Sequence, residues 1–258
     1  MTDIGQKPVL TEPGTGSSKK KRPGGRMFRR LVFAAAAILL LCTAGIPVIW
    51  KNSGRVPIAV SEFAGTHPEA KVFAKNLLWY TNRKLRKNVS RAMADREIPL
   101  YLQWDMRWGY RKYGSSLIGT AGCGPACLSM VVSGLKKDPS VNPYTVSTYA
   151  ESREYYIEGQ GSSWKLMTEG AEHFGLQAEQ GEVTEDFILE NLTGKSPMIC
   201  SVLPGDFTSD GHFVVLTGID EDGKILLNDP NNPEKSIRHW DLSVLLPQIK
   251  GIWVYRFA

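Results

Sequence analysis

Cysteine and histidine are both scarce, four of each in 258 residues. Four cysteines, one of them inside an uncharged apolar run, are too few for a disulfide framework. Four histidines leave little choice for any site that needs an imidazole. No G-x-x-x-x-G-K-[ST] phosphate loop occurs, there is no internal repeat, and no residue pattern asks for a cofactor. Excess charge is missing too, once the N-terminus is set aside. Residues 1–30 carry eight Lys/Arg against Asp3 and Glu12, so the formal +5 of the chain leaves −1 from Leu31 onward. That balance excludes a general affinity for nucleic acid. What remains, 42% hydrophobic and 22% charged, is the composition of a globular protein with one ordinary domain or two small ones.

The N-terminal 1–30 reads as a disordered basic tail expected in the cytoplasm: polar, with Lys19 to Arg22, Arg26, Arg29 and Arg30 clustered at its end. Leu31 to Trp50 is then twenty residues without a charge, enough helix to cross about 30 Å of hydrocarbon. Basic residues before this span and Trp50 at its far edge predict a single-pass cell-membrane anchor, with the rest of the chain extracytoplasmic. A cleaved signal peptide and a lipoprotein signal compete with the anchor. The long basic leader argues against both, and Leu41 is bulky where a lipobox wants Gly or Ala. Residues 51–97 are expected to hold a short connector (51–66) and one amphipathic helix (67–97). That helix buries Phe73, Leu77, Leu78, Leu85, Val89 and Met93 and presents a basic face. The face suits anionic lipid or a partner; more simply, it is the solvated side of a stalk packed on the domain behind it.

The pattern changes at Ile98, where a domain over 98–258 begins. An apolar strand is expected over Ile98–Gln103, then helices: one opening at Cys123 and closed by Gly134, one opened by Asn142-Pro143, one capped at Ser162-Ser163 and stopped by Gly175, one capped by Thr184 and stopped by Gly194. Strands follow over Pro197–Leu203, His212–Ile219, Lys224–Asn228, Ser236–Trp240 and Ile252–Phe257, with a short helix over Asp241–Ile249. Helices first and strands second give an α+β fold.

The run from Gly119 to Val132 holds the chemistry. Its glycines lead into an apolar helix with Pro125 in the first turn, where no donor is lost. Cys123 therefore stands at the positive end of that helix, where a thiolate is favoured and the sulfur stays approachable. Cys127, one turn on, reads as a small buried hydrophobe. A nucleophilic cysteine needs a base, and the base needs a group to orient it. His67 falls in the stalk, His173 late in a helix and His239 in a strand. His212 opens a buried strand after Asp210-Gly211, where loops tend to present catalytic groups. A hairpin through Glu221–Lys224 returns Asn228 and Asp229 beside it, and strand alternation lets only one of the two face the ring. Cys123, Cys127 and His212 do not match zinc spacing, so no metal is expected. A Cys127–Cys200 disulfide is conceivable outside the cell.

Gln103-Trp104-Asp105 with Arg107-Trp108, Gly122-Cys123-Gly124-Pro125, Gly211-His212 through Gly218, and Asn228-Asp229-Pro230 occur in this order. Together they resemble the papain-like cysteine peptidases related to bacteriocin-processing, double-glycine leader peptidases. The resemblance covers about 98–258 and implies a papain-like fold with the cysteine helix packed on an antiparallel sheet. It implies Cys123 as nucleophile, His212 as general base, Asp229 rather than Asn228 as the orienting acid, and Gln103 as an oxyanion donor beside the Cys123 N–H. It implies a peptide or protein substrate. The transporter-linked members carry further membrane and ATPase domains after the peptidase, whereas here one span precedes it. Two rivals use the same residues: a cell-wall amidase or acyltransferase with this triad, and a non-catalytic papain-fold module that binds peptides or partners.

Overall fold

The computed structural model describes residues 56–76 and 96–258. The basic tail and apolar span expected over 1–50, and residues 77–95 of the expected stalk, lie outside the described residues. Among those residues no helix is long and apolar enough to cross a membrane.

The described part of the segment expected to be a connector, residues 56–66, is helical. Helix α1 (Val56–Thr66) ends at His67, whose ring stacks on Phe63 with centroids 4.2 Å apart; a 3-10 turn (Pro68–Ala70) and α2 (Lys71–Asn76) follow. One continuous helix from His67 is therefore corrected at both described ends, since Pro68 opens a tighter turn and Glu97 is not helical. Val60, Ala70 and Phe73 are buried, Phe73 stacking on Tyr110 and accepting the Tyr110 hydroxyl at its carbonyl, 2.6 Å away. This segment packs on the domain rather than leading up to it.

Residues 98–103, expected as a strand, belong to no strand of the sheet. Side chains hold this backbone instead: Asn228 Nδ2 donates to the carbonyls of Ile98 and Pro99, each at 3.1 Å. A small hairpin, β1 (Lys112–Tyr113) and β2 (Ser116–Leu117), precedes α3 (Ile118–Ala121) and the central helix α4 (Cys123–Lys136). Every residue of α4 from Gly124 to Leu135 is buried, which is why its sequence is apolar all round rather than striped. The helix runs past Gly134, its expected end, and stops at Lys137 in the left-handed region (φ 53°). Gly134 serves a close approach: a Cβ there would lie 2.6 Å from Ile98 Cδ1 and 3.0 Å from the Glu97 carbonyl oxygen.

Helix α5 (Pro143–Ser152) is capped by Asn142 as expected, its side chain accepting from the Tyr144 and Thr145 N–H groups. Of the two serines expected to cap the next helix, Ser162 enters the hairpin of β3 (Tyr156–Ile157) and β4 (Gly161–Ser162), while Ser163 Oγ accepts the N–H of Lys165, the first residue of α6 (Lys165–His173), at 3.3 Å. Strand β5 (Leu176–Gly181), which no sequence pattern announced, is followed by α7 (Glu185–Asn191) under its Thr184 cap. Then come β6 (Met198–Val202), β7 (His212–Ile219), β8 (Ile225–Asn228), α8 (Pro233–Ile237), α9 (Leu242–Leu245) and β9 (Ile249–Phe257). The strand expected over Ser236–Trp240 does not form: its first two residues end helix α8, which Asn232 caps and Pro233 opens, and of the five only Trp240 bridges to Ile225.

The five strands form one antiparallel sheet in the order β5-β9-β6-β7-β8. Alternation divides it between two cores. Ile199, Phe213, Val215, Trp253 and Tyr255 meet α4 through Cys127, Leu128, Val131 and their neighbours. Met198, Cys200, Val214, Leu216, Ile252 and Val254 face the other core with Ile188, Trp240 and Leu245. Cys127 and Cys200 therefore belong to cores on opposite faces of the sheet, and both are free thiols, so the conceivable disulfide does not form.

Gly134→Val is expected to lower unfolding stability by about 1–3 kcal/mol, the scale of overpacking. Urea unfolding checks this, and an unchanged midpoint would remove the close-approach account of Gly134.

Candidate active site

Cys123 is the first residue of α4, with Gly122 as the preceding cap and Pro125 in the first turn. The unsatisfied N–H groups of that turn surround a sulfur that is half-buried. Cys127 lies one turn deeper, fully buried, its thiol donating to the Phe213 carbonyl at 3.3 Å; burial pushes its pKa well up. Burial does the same to Cys200. Among the described cysteines only Cys123 opens on the cleft.

That cleft, about 520 Å3, runs between the first turn of α4, the β3–β4 hairpin and the loop before β7; Cys123, Ser162, Trp164, Asp210, His212 and Lys250 all line it. His212 begins β7 and is buried. Its Nε2–H donates to Asp229 Oδ1 at 2.8 Å, and Cys123 lines the same cleft close enough to act on the protonation of the ring. Burial alone lowers the His212 pKa. The charge and hydrogen bond of Asp229, joined by Cys123, more than reverse this and raise it to about 10.

The hairpin between β7 and β8 forms where expected, but a bulge at Thr217 shifts its register so that Asn228 pairs with Val215. Asn228 and Asp229 turn in different directions. Asn228 turns to the 98–99 backbone and to Arg96, while Asp229, just beyond the strand, reaches the imidazole. Asp229 Oδ1 also accepts the Asn231 N–H at 2.8 Å, so its own turn helps to aim it.

Gln103 is buried and tied at both ends: its N–H donates to the Pro230 carbonyl at 2.8 Å, and its Nε2 to the Gly119 carbonyl at 3.2 Å. A carbonyl only accepts, so the amide nitrogen must be the atom facing Gly119, and it keeps a second N–H. The surrounding Trp/Asp/Arg motif is a knot that holds this turn. Trp104 Nε1 donates to the Asn231 carbonyl at 2.9 Å, Trp108 Nε1 to the Leu102 carbonyl at 2.8 Å, and Asp105 pairs with Arg107 at 2.7 Å. Phe73 closes over Gly109 and Gly119, where a Cβ would meet its ring at 3.0 and 2.4 Å. Thus Cys123, His212 and Asp229 come together, and Gln103 is fixed between the Asp229 turn and the approach to Cys123.

The remaining histidines are engaged elsewhere. His173 stacks on Tyr149 with centroids 3.9 Å apart, and His239 pairs with Asp220 on the surface. Sequence reasoning missed Arg96 and Ser236, which hold the backbone around Asp229. It also missed the Tyr113–Ser162 hydrogen bond of 2.7 Å beneath the cleft. Only Pro233 after Asn232, a helix-start signal, pointed to the segment carrying Ser236.

The model of the Peptidase_C39 like family matches residues 96–255, and the motif resemblance to bacteriocin-processing peptidases points to the same family. Two solved structures match part of the chain. One is the peptidase domain of Streptococcus ComA, a bi-functional ABC transporter involved in a quorum-sensing pathway (20% identity, 54% of this chain and 93% of that one, TM-score 0.41). The other is a double glycine motif protease from an AMS/PCAT transporter in complex with the leader peptide (22% identity, 54% and 86%, TM-score 0.38). A search of the curated proteins returned no match.

The imidazole ordinarily titrates near 6.5 and is raised to about 10 here. The stability contributed by the charged pair is therefore whole below about pH 6.5 and lost as pH rises through about 10. Wild-type urea midpoints are expected to fall across that window. Asp229→Asn, which removes the charge responsible, is expected to flatten the fall, and an unaltered slope would count against the pair.

Proposed function

The chain belongs to the Peptidase_C39 like family, and on that premise we propose that it is a cysteine peptidase acting through Cys123, His212 and Asp229. The observation that carries this reading is the buried His212 ring, hydrogen-bonded to the buried Asp229 carboxylate and lining one cleft with Cys123. In this mechanism His212 takes the thiol proton and stays beside the sulfur as imidazolium. The thiolate attacks a peptide carbonyl, and the oxyanion is stabilised by the second N–H of Gln103 and the backbone N–H of Cys123, worth several kcal/mol in a preorganised site. His212 then protonates the departing amine, leaving a thioester at Cys123, and a water activated by the neutral imidazole releases the acid. A cleft of about 520 Å3 has room for a peptide segment.

The same proposal places the domain outside the cell membrane, on an anchor over 31–50 behind the cytoplasmic tail 1–30. Its support is the uncharged span directly after a basic cluster. Membrane fractions washed with carbonate are expected to retain the full chain and to release a chain lacking 1–50; release of both would remove the anchor.

Brief treatment of the full chain with iodoacetamide near pH 6, with alkylation mapped by mass spectrometry, tests the chemistry. Fast labelling of Cys123, lost in His212→Ala, is expected, because an ordinary thiol with pKa about 8.5 reacts slowly there. Gln103→Ala is expected to leave labelling intact, since alkylation develops no oxyanion, while slowing peptide cleavage by about 100-fold or more. Labelling indifferent to His212 would sink the triad and favour a binding module.

A further inference from the structure

Arg96 is half-buried at the entry to the domain, and its guanidinium lies between two residues that flank the Asp229 turn. Its Nη1 donates to Asn228 Oδ1, and its Nη2 donates to the Ser236 carbonyl at 3.1 Å. Asn228 immediately precedes Asp229 and is itself anchored to the Ile98 and Pro99 carbonyls. Ser236 Oγ accepts the Asp229 N–H at 2.9 Å and donates to the Asn232 carbonyl at 2.8 Å. Two holds on Asp229, the residue before it and the partner of its own amide, thus converge on one planar cation.

We propose that Arg96 is a positioning residue for Asp229, clamping the segment from Asn228 to Ser236 so that the carboxylate meets the His212 ring. The inference rests on the triad reading above. Asp229 Oδ1 has the His212 ring and the Asn231 N–H, while Oδ2 is buried with no partner among the described residues. So little fixes the carboxylate through its own oxygens that its place must be set by the backbone that carries it. Arg suits this task because its donors are locked in one plane and meet two acceptors at once; a lysine offers one mobile point of donation. Arg96 does not line the cleft. It borders a separate hollow of about 760 Å3 together with Glu97, Ser236 and His239, so substrate contact does not account for it.

The His212-dependent labelling of Cys123 reads this position without a known substrate. His212 faces Asp229 and Cys123, with Asp210 and Lys250 on the cleft side; Glu97 and His239 are the titratable groups near Arg96. In the full chain, iodoacetamide labelling is followed from pH 5 to pH 9. Arg96→Ala is expected to slow Cys123 labelling near pH 6 by about tenfold, the equivalent of one charged hydrogen bond at its lower magnitude. Its pH profile is expected to move toward that of His212→Ala. Arg96→Lys keeps the charge and is expected to shift the profile in the same direction. If circular dichroism shows that Arg96→Ala does not fold, Arg96→Lys decides alone. Wild-type profiles in every folded Arg96 variant overturn the inference. Wild-type labelling that ignores His212→Ala overturns the triad beneath it instead, so the two failures are distinguishable.

Discussion

The His212–Asp229 pair is almost wholly buried, with the two residues 4% and 0% exposed. Two groups taken out of water this way are costly unless their geometry is held and their other atoms are served. Removing one partner of such a pair typically costs about 3–5 kcal/mol, because the other is left buried and uncompensated. That constraint accounts for much of the surrounding architecture. The Asn231 N–H turns back onto the carboxylate, Ser236 holds the Asp229 amide, and the Gln103 backbone is pinned to the Pro230 carbonyl beside it.

The sheet and the central helix make that arrangement rigid from opposite directions. Alternate residues of β6, β7 and β9 fill two separate cores, so neither face of these strands can shift without disturbing packing. Helix α4 is buried along nearly its whole length and ends its N-terminal turn at the cleft, where Cys123 is the part left accessible. Cys123 thus stands at the start of a deeply buried helix, while His212 and Asp229 come from adjacent ends of a hairpin. The site is a seam between two rigid bodies of secondary structure.

The cysteine helix, the hairpin of β7 and β8, and the caps at Asn142 and Thr184 were legible in the sequence because local chemistry decides them. An apolar run, a polar turn and a side-chain oxygen ahead of free N–H groups each act within a few residues. Strand β5 was not legible: Leu-Gln-Ala-Glu-Gln-Gly has no β-branched residue and is a strand through its pairing with β9. Residues 98–103 looked like a strand and are instead held by side chains more than a hundred positions away. Gly134 looked like a helix stop, yet it is small so that Ile98 can approach. At the site, Cys123 and His212 stood out by position. The choice of Asp229 over Asn228 needed the family resemblance, and Arg96 carried no local signal because its partners lie across the fold.

The order of the strands has a consequence for how the molecule is made. β9 follows every other described element in sequence, yet it is inserted between β5 and β6, pairing with both and giving Trp253 and Tyr255 to one core and Ile252 and Val254 to the other. The sheet cannot close until this strand has been synthesised, and non-local closure of this kind is the slow part of folding. A nascent chain that already contains Cys123, His212 and Asp229 still lacks the strand that fixes their frame. On the proposed chemistry, Cys123 therefore gains its assembled partners only once β9 is in place.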